Sequence, residues 1–353
     1  MRNLRPVYLL VFMLTLLAIG CKKEKQNKIH NQTGTTTDPN DPTTPGNPTN
    51  PNNPGNPSTP GNYTFSKVFN DLEVKYKTLT IDATKDNSFF GNSGTRYVIK
   101  ANALVTPGGA PVTGNVQVQV REFLNRGDMI FSRMLPVSDG APLVSGGEID
   151  IQVTQNGTPL NLRPNTPLQV FVPQKGNADP DMQVFSGQPV TGDPQNQVNW
   201  RVDSPRVIVD SLQVVDTSNR VVPIYRPGAQ DTLKMISDKL RLCNIDKYLK
   251  IYQNELITVK VTSSGDTIPN STPLFCYALF NNLNIAYPIY IYDLNNTREV
   301  HLMKLPINFV AFTIINGHFY GGVVTPAQKT GTTVNIVLNK VDPAAFKITL
   351  NNL

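Results

Sequence analysis

Histidine is nearly missing from this chain: His30, His301 and His318 are the only three among 353 residues. Neither His301 nor His318 has a second His, Cys or carboxylate at ligand spacing, so no zinc site is expected and both read as structural or exposed. Tryptophan is rarer still, with Trp200 alone. Charged residues are sparse at 16%, and no basic stripe carries interleaved aromatics, which argues against nucleic-acid binding. No P-loop, EF-hand loop, GxSxG elbow or dinucleotide fingerprint appears. The chain therefore reads as non-enzymatic, with no catalytic residue, cofactor or metal expected. Residues 7–19 form an apolar stretch of 13, too short for a bilayer span of about 20 residues.

That stretch sits inside a secretory signal. Arg2 and Arg5 supply its positive start, and Ala18-Ile19-Gly20-Cys21 closes it. Small residues at 18 and 20 suit a peptidase with a narrow subsite. The segment resembles the lipobox of bacterial lipoproteins, although Ala18 stands where Leu is commonest. The resemblance implies cleavage before Cys21 and a diacylglycerol on its thiol. One acyl chain holds a protein marginally and two or three hold it durably, at about 0.8 kcal/mol per buried CH₂. Lys22, rather than an Asp, implies the outer membrane. Acidic export tags common in related surface lipoproteins are absent from Lys22-Lys23-Glu24-Lys25, so a periplasmic and a cell-surface orientation both stay open.

The net charge of +6 is concentrated near the start. The signal takes +2 of it, the stub around Lys22 to Lys28 carries +3, and Asp38 and Asp41 give the linker −2. About 290 remaining residues hold only +3. The basic stub suits anionic lipid head groups, at about 1 kcal/mol per Lys near such a surface.

Eight prolines fall at a strict spacing of three from Pro39 to Pro60. Polyproline II has three residues per turn, so the rings would line one edge of an extended segment of about 65–70 Å. Asn, Thr and Gly fill the gaps, leaving nothing apolar to bury. The tract is read as a disordered, semi-rigid spacer.

The rest is expected to be mainly β, with tandem antiparallel β-sandwich modules. Val116, Val118 and Val120 alternate with glutamines; Ile149, Ile151 and Val153 alternate with polar residues. Ile257, Val259 and Val261, then Val334, Ile336 and Leu338, repeat the pattern. Residues 231–249 have mixed spacing and are read as a short helix or an irregular crossing. Asp342 with Pro343 predicts a closing helix carrying Phe346, Leu350 and Leu353 on one side. The expected division is signal 1–20, stub and linker 21–62, first sandwich 63–186, connecting region 187–254 and second sandwich-like domain 255–353. The break at 187 is set by a Pro, Gly, Asn and Gln-rich stretch that begins there, at 187–199.

Within the first sandwich, residues 79–173 resemble a ZU5-type module of envelope lipoproteins. Gly94-Thr95 precedes a strand at 97–99, Pro111-Val112-Thr113-Gly114 precedes one at 116–120, and Leu143-Val144-Ser145-Gly146-Gly147 precedes one at Ile149, with Asp128-Met129 between. The resemblance implies a fold and an interaction role, with no active site. Some ZU5 proteins self-cleave at His-Phe-Ser in an adjoining module; His318-Phe319-Tyr320 lacks the serine, so no cleavage is expected.

Four sets of side chains bear on chemistry. With Cys21 acylated, Cys243 and Cys276 remain, either as a disulfide closing about 34 residues, worth about 3–4 kcal/mol, or as two buried thiols. Glu148 and Asp150 share a strand face; a carboxylate pair can hydrolyse glycosides, but the face is read as solvated. Arg126-Gly127-Asp128 spells an adhesion tripeptide and is read as chance. Tyr290 and Tyr292 share one face of an extended segment, opposite Ile289 and Ile291. Exposed, this pair could stack on sugar; buried, it would be cross-strand packing. The expected partners are thus the membrane, through Cys21, and an envelope protein or a glycan.

Overall fold

The computed structural model describes residues 62–174, 179, 181–204, 208–210, 213–215, 221–223, 232–250, 253–292 and 296–353. The signal, Cys21, the stub and the Pro-rich tract lie outside the described residues. The fold is mainly β with short helices, as the alternation predicts.

In the first part the main elements are α1 (Phe65–Leu72), β1 (Lys77–Asp82), β2 (Asn87–Phe90), β3 (Arg96–Ile99), β4 (Asn115–Phe123), α2 (Arg126–Ser132) and β5 (Ala141–Gln155). Then come β6 (Leu168–Pro173), β7 (Gln183–Pro189), β8 (Val198–Ser204), β9 (Ile208–Asp210), β10 (Thr232–Ser237) and β11 (Arg241–Tyr248). One sheet runs β1-β4-β5-β11-β7-β8; the facing sheet runs β9-β10-β6-β3-β2. Val118, Val120, Ile149, Ile151 and Ile245 of the first bury against Tyr97, Val170, Val172 and Leu233 of the second. That is sandwich packing, with alternate residues of each strand turned inward.

Two expectations change here. Residues 231–249 hold β10 and β11 rather than a helix. Cys243, Asn244, Ile245 and Asp246 are all buried, so β11 is covered on both faces and shows no alternation. The connecting region also belongs to the first sandwich: β11 lies between β5 and β7, and β10 pairs with β6. The expected boundary at 186/187 cuts through β7. The Pro and Asn-rich stretch after it is the turn of the β7–β8 hairpin, where such residues supply turn geometry.

The second part contains β12 (Asn254–Ser263), β13 (Phe275–Phe280), β14 (Ala286–Pro288), β15 (Thr297–Met303), β16 (Ile307–Ile315), β17 (His318–Val324), β18 (Thr333–Lys340) and α3 (Pro343–Asn352). Its sheet runs β14-β13-β16-β17-β18-β12-β15. All contacts are antiparallel except β12 with β18, which is parallel. Ile257, Val259, Val334 and Ile336 bury against Cys276, Ala278, Phe309 and Ala311 within this part.

The three helices join the two parts. Thr64 caps α1 by accepting from Lys67 N (3.2 Å), and Val68 and Phe69 bury one side of it. Asp342 caps α3 through Ala345 N (2.8 Å), with Pro343 in the first turn and Phe346 and Leu350 buried. These side chains meet Ile130 and Phe131 of α2 against the outer face of β13 and β16, around Phe312. Met129, one residue earlier on α2, turns the other way, onto Phe123, Phe185 and Trp200 of the first sheet. A helix apolar on both sides has to be sandwiched, and α2 is. Gly127 permits the close approach of α3: a Cβ there would lie 2.5 Å from Asn351 Oδ1 and 2.7 Å from Lys347 O.

Candidate functional site

Tyr290 and Tyr292 lie just past β14, outside any strand. Ile289, between β14 and the pair, is buried, and Ile291 packs partly on the core. The two tyrosine rings are parallel within 9°, with centroids 6.1 Å apart. Tyr292 is 78% exposed, whereas Tyr290 is half-buried and donates its hydroxyl to Asp193 Oδ2 (2.7 Å). Burial and this bond push the Tyr290 pKa up, so the phenol stays a donor at neutral pH. Asp193 is itself held: its Oδ1 accepts from Gln195 N (2.8 Å) and Asn196 N (3.3 Å). Asn196 Oδ1 accepts from Leu135 N (3.0 Å), and Leu135 O accepts from Trp200 Nε1 (3.0 Å). A chain of bonds thus ties the tyrosine face to the buried tryptophan. The hydroxyl of Tyr277 and Oε1 of Gln195 are buried without a partner among the described residues. Chemically, the face offers a flat ring beside a carboxylate, suited to stacking and hydrogen bonding.

Cys243 on β11 and Cys276 on β13 are free and buried, in different sheets. Burial pushes the Cys276 thiol up to about 12 and that of Cys243 higher still. Neither is a nucleophile near neutral pH.

The expectation of a solvated face at Glu148 and Asp150 is overturned: they are 0% and 4% exposed. That side of β5 is the one Phe123, Phe185 and Trp200 occupy, beneath α2. Asp150 accepts from Arg121 Nε (3.0 Å) and from the Tyr76 hydroxyl, and Arg121 lies over the Tyr76 ring. Among the described residues Glu148 has no hydrogen-bond partner at either oxygen, and Asp246 has none at Oδ1. Burial, reinforced by the field of Asp246, raises the Glu148 pKa well above the carboxylate range; burial also raises Asp246. Sequence patterning could not reveal this pair, because Asp246 comes from a strand about 100 residues away.

A cleft of about 720 Å³ opens where β5, α2, the turn after β13 and α3 meet. Such volumes are usual for ligand sites. Arg126 lines it, half-buried, with Nη1 donating to Phe280 O (2.9 Å). Desolvation lowers its pKa. Asn282 adopts φ +61° at its edge. Asn284 Nδ2 donates to Leu124 O and Ser145 O (3.3 Å each). The sequence signal was Asn281-Asn282-Leu283-Asn284, which reads as turn chemistry. Arg126-Gly127-Asp128 is no presented tripeptide: Gly127 is buried and Asp128 pairs with Lys347 (2.7 Å).

Among the described residues no three His, Cys, Asp or Glu come together as metal ligands, and no helix is long and apolar enough to cross a membrane. Compared with protein-family models, curated proteins and solved structures, the chain has no match.

Proposed function

We propose that this chain is a non-enzymatic outer-membrane lipoprotein whose body binds a partner in the cell envelope. Acyl chains on Cys21 hold it, the Pro-rich tract spaces it from the membrane, and a ZU5-like module at 79–173 contributes to the interaction surface. One observation carries the binding role. Tyr292 projects an exposed ring, parallel to that of Tyr290, whose hydroxyl is held by Asp193. A rigid aromatic in solvent loses little entropy on contact, which is why such residues dominate binding energy.

A second reading, glycan binding, is favoured by the carboxylate of Asp193 beside the rings. A sugar presents an apolar face for stacking and hydroxyls for the polar neighbour. The test is a screen of the full chain in detergent against envelope proteins and glycans. Tyr292→Ala should weaken the captured partner at least tenfold, about 1.4 kcal/mol, with an unchanged melting temperature because the ring is exposed. Saturable sugar binding lost in Tyr292→Ala would select the glycan reading. Unchanged binding by the variant would remove this face from the function.

A further inference from the structure

We propose that the cleft at Arg126 is a separate binding site for a carboxylate-bearing saccharide. The inference deepens the binding role proposed above, at a place distinct from the tyrosine face.

The guanidinium is the starting point. Arg126 spends one N–H on Phe280 O and makes no ion pair among the described residues. The acids near it are committed elsewhere: Asp128 to Lys347 and Asp179 to Lys247. A half-buried cation without a counter-ion costs stability, and the cost is recovered when an anion arrives. The planar fork of Arg matches a carboxylate through two parallel bonds.

The surrounding groups define the rest of the ligand. Asn282 and Ser93 line the cleft with side chains that have no partner among the described residues. Gln174 Nε2 donates to Gly146 O (2.9 Å), and Asn351 Oδ1 accepts from Asp128 N (3.2 Å). Each amide is thereby fixed by one end and keeps its other end for a ligand. An amide offers donors and an acceptor side by side, the pattern that vicinal hydroxyls satisfy. Among the described residues no aromatic side chain lines the cleft, so recognition here would run through hydrogen bonds and charge. A carboxylate at Arg126 with hydroxyls at the amides describes an acidic sugar.

The experiment measures binding of full-length protein in detergent to trigalacturonate and sialyllactose, with their neutral counterparts, galactotriose and lactose. The expected result is saturable binding of an acidic sugar, at least tenfold tighter than its neutral counterpart. Arg126→Gln should weaken it at least tenfold, and Arg126→Lys should restore only part because the fork is lost. Should Arg126→Gln not fold, Asn282→Asp serves: it is exposed, Asp tolerates positive φ, and its added charge should repel the acidic sugar. Tyr292→Ala should leave this binding unchanged, which separates the two sites. No saturable binding of either acidic sugar at millimolar concentration would overturn the proposal. So would equal affinity for the neutral sugars, insensitivity to both Arg126→Gln and Asn282→Asp, or capture of an Asp/Glu-rich peptide in place of the sugars.

Discussion

Glu148 and Asp246 lie together at the centre of the first sheet, and no cation among the described residues pairs with either. Their folded pKa values lie above the unfolded ones, near 4. The protonated pair's contribution is therefore complete below about pH 4 and is lost as pH rises through the folded values. Glu148→Gln removes the ionisation of one member of the pair. It should stabilise the protein by about 1–3 kcal/mol at pH 8 and change little at pH 4, read from denaturant melts across that range. Destabilisation at pH 8 would mean that Glu148 is ionised and compensated by a bound cation. The thiols give a second residue-scale expectation. With Cys276 at about 12 and Cys243 beyond it, iodoacetamide at pH 8 should label neither in the native body and both in denaturant. A native disulfide would leave both unlabelled in denaturant until a reductant is added.

The closing helix shows what sequence can specify at the scale of an element. Asp342, Pro343, Phe346 and Leu350 predict its start and its buried side, because capping and a 3.6-residue period are local. Asp342→Ala removes the bond to Ala345 N and should cost about 1 kcal/mol, seen as a lower melting temperature. The alternating strands were legible for the same reason: Val116 to Val120 and Val334 to Leu338 each have one buried face. β11 was not, since cover on both sides erases its period. α2 was missed because seven residues are too few for a pattern, and its two apolar sides answer to different sheets. The tyrosine pair was legible as neighbours on one face. Asp193, which holds it, came from a stretch that composition marked as a break between domains. The cleft was illegible because its walls come from four elements distant in sequence, each with an ordinary local explanation.

For the whole molecule, the anchor proposed at Cys21 makes the sharpest prediction. Cys21→Ser should abolish incorporation of radiolabelled palmitate and move the protein from the membrane pellet to the soluble fraction; continued sedimentation with membranes would contradict acylation at that residue. The body should stay folded in this variant, since the interactions described from Tyr63 onward do not involve Cys21. Tyr63 N donates to Gly317 O (2.9 Å), which fastens the start of the described residues to the β16–β17 turn.

The place of β11 bears on synthesis. A ribosome delivers residues 141–155 and 183–189 well before residues 241–248, yet the late strand fits between the two early ones. Until it emerges, two bare strand edges face any neighbouring nascent chain, and unpaired edges template intermolecular pairing. A product cut short before residue 241 keeps both edges open for good, which makes such fragments seeds for aggregation rather than smaller working proteins.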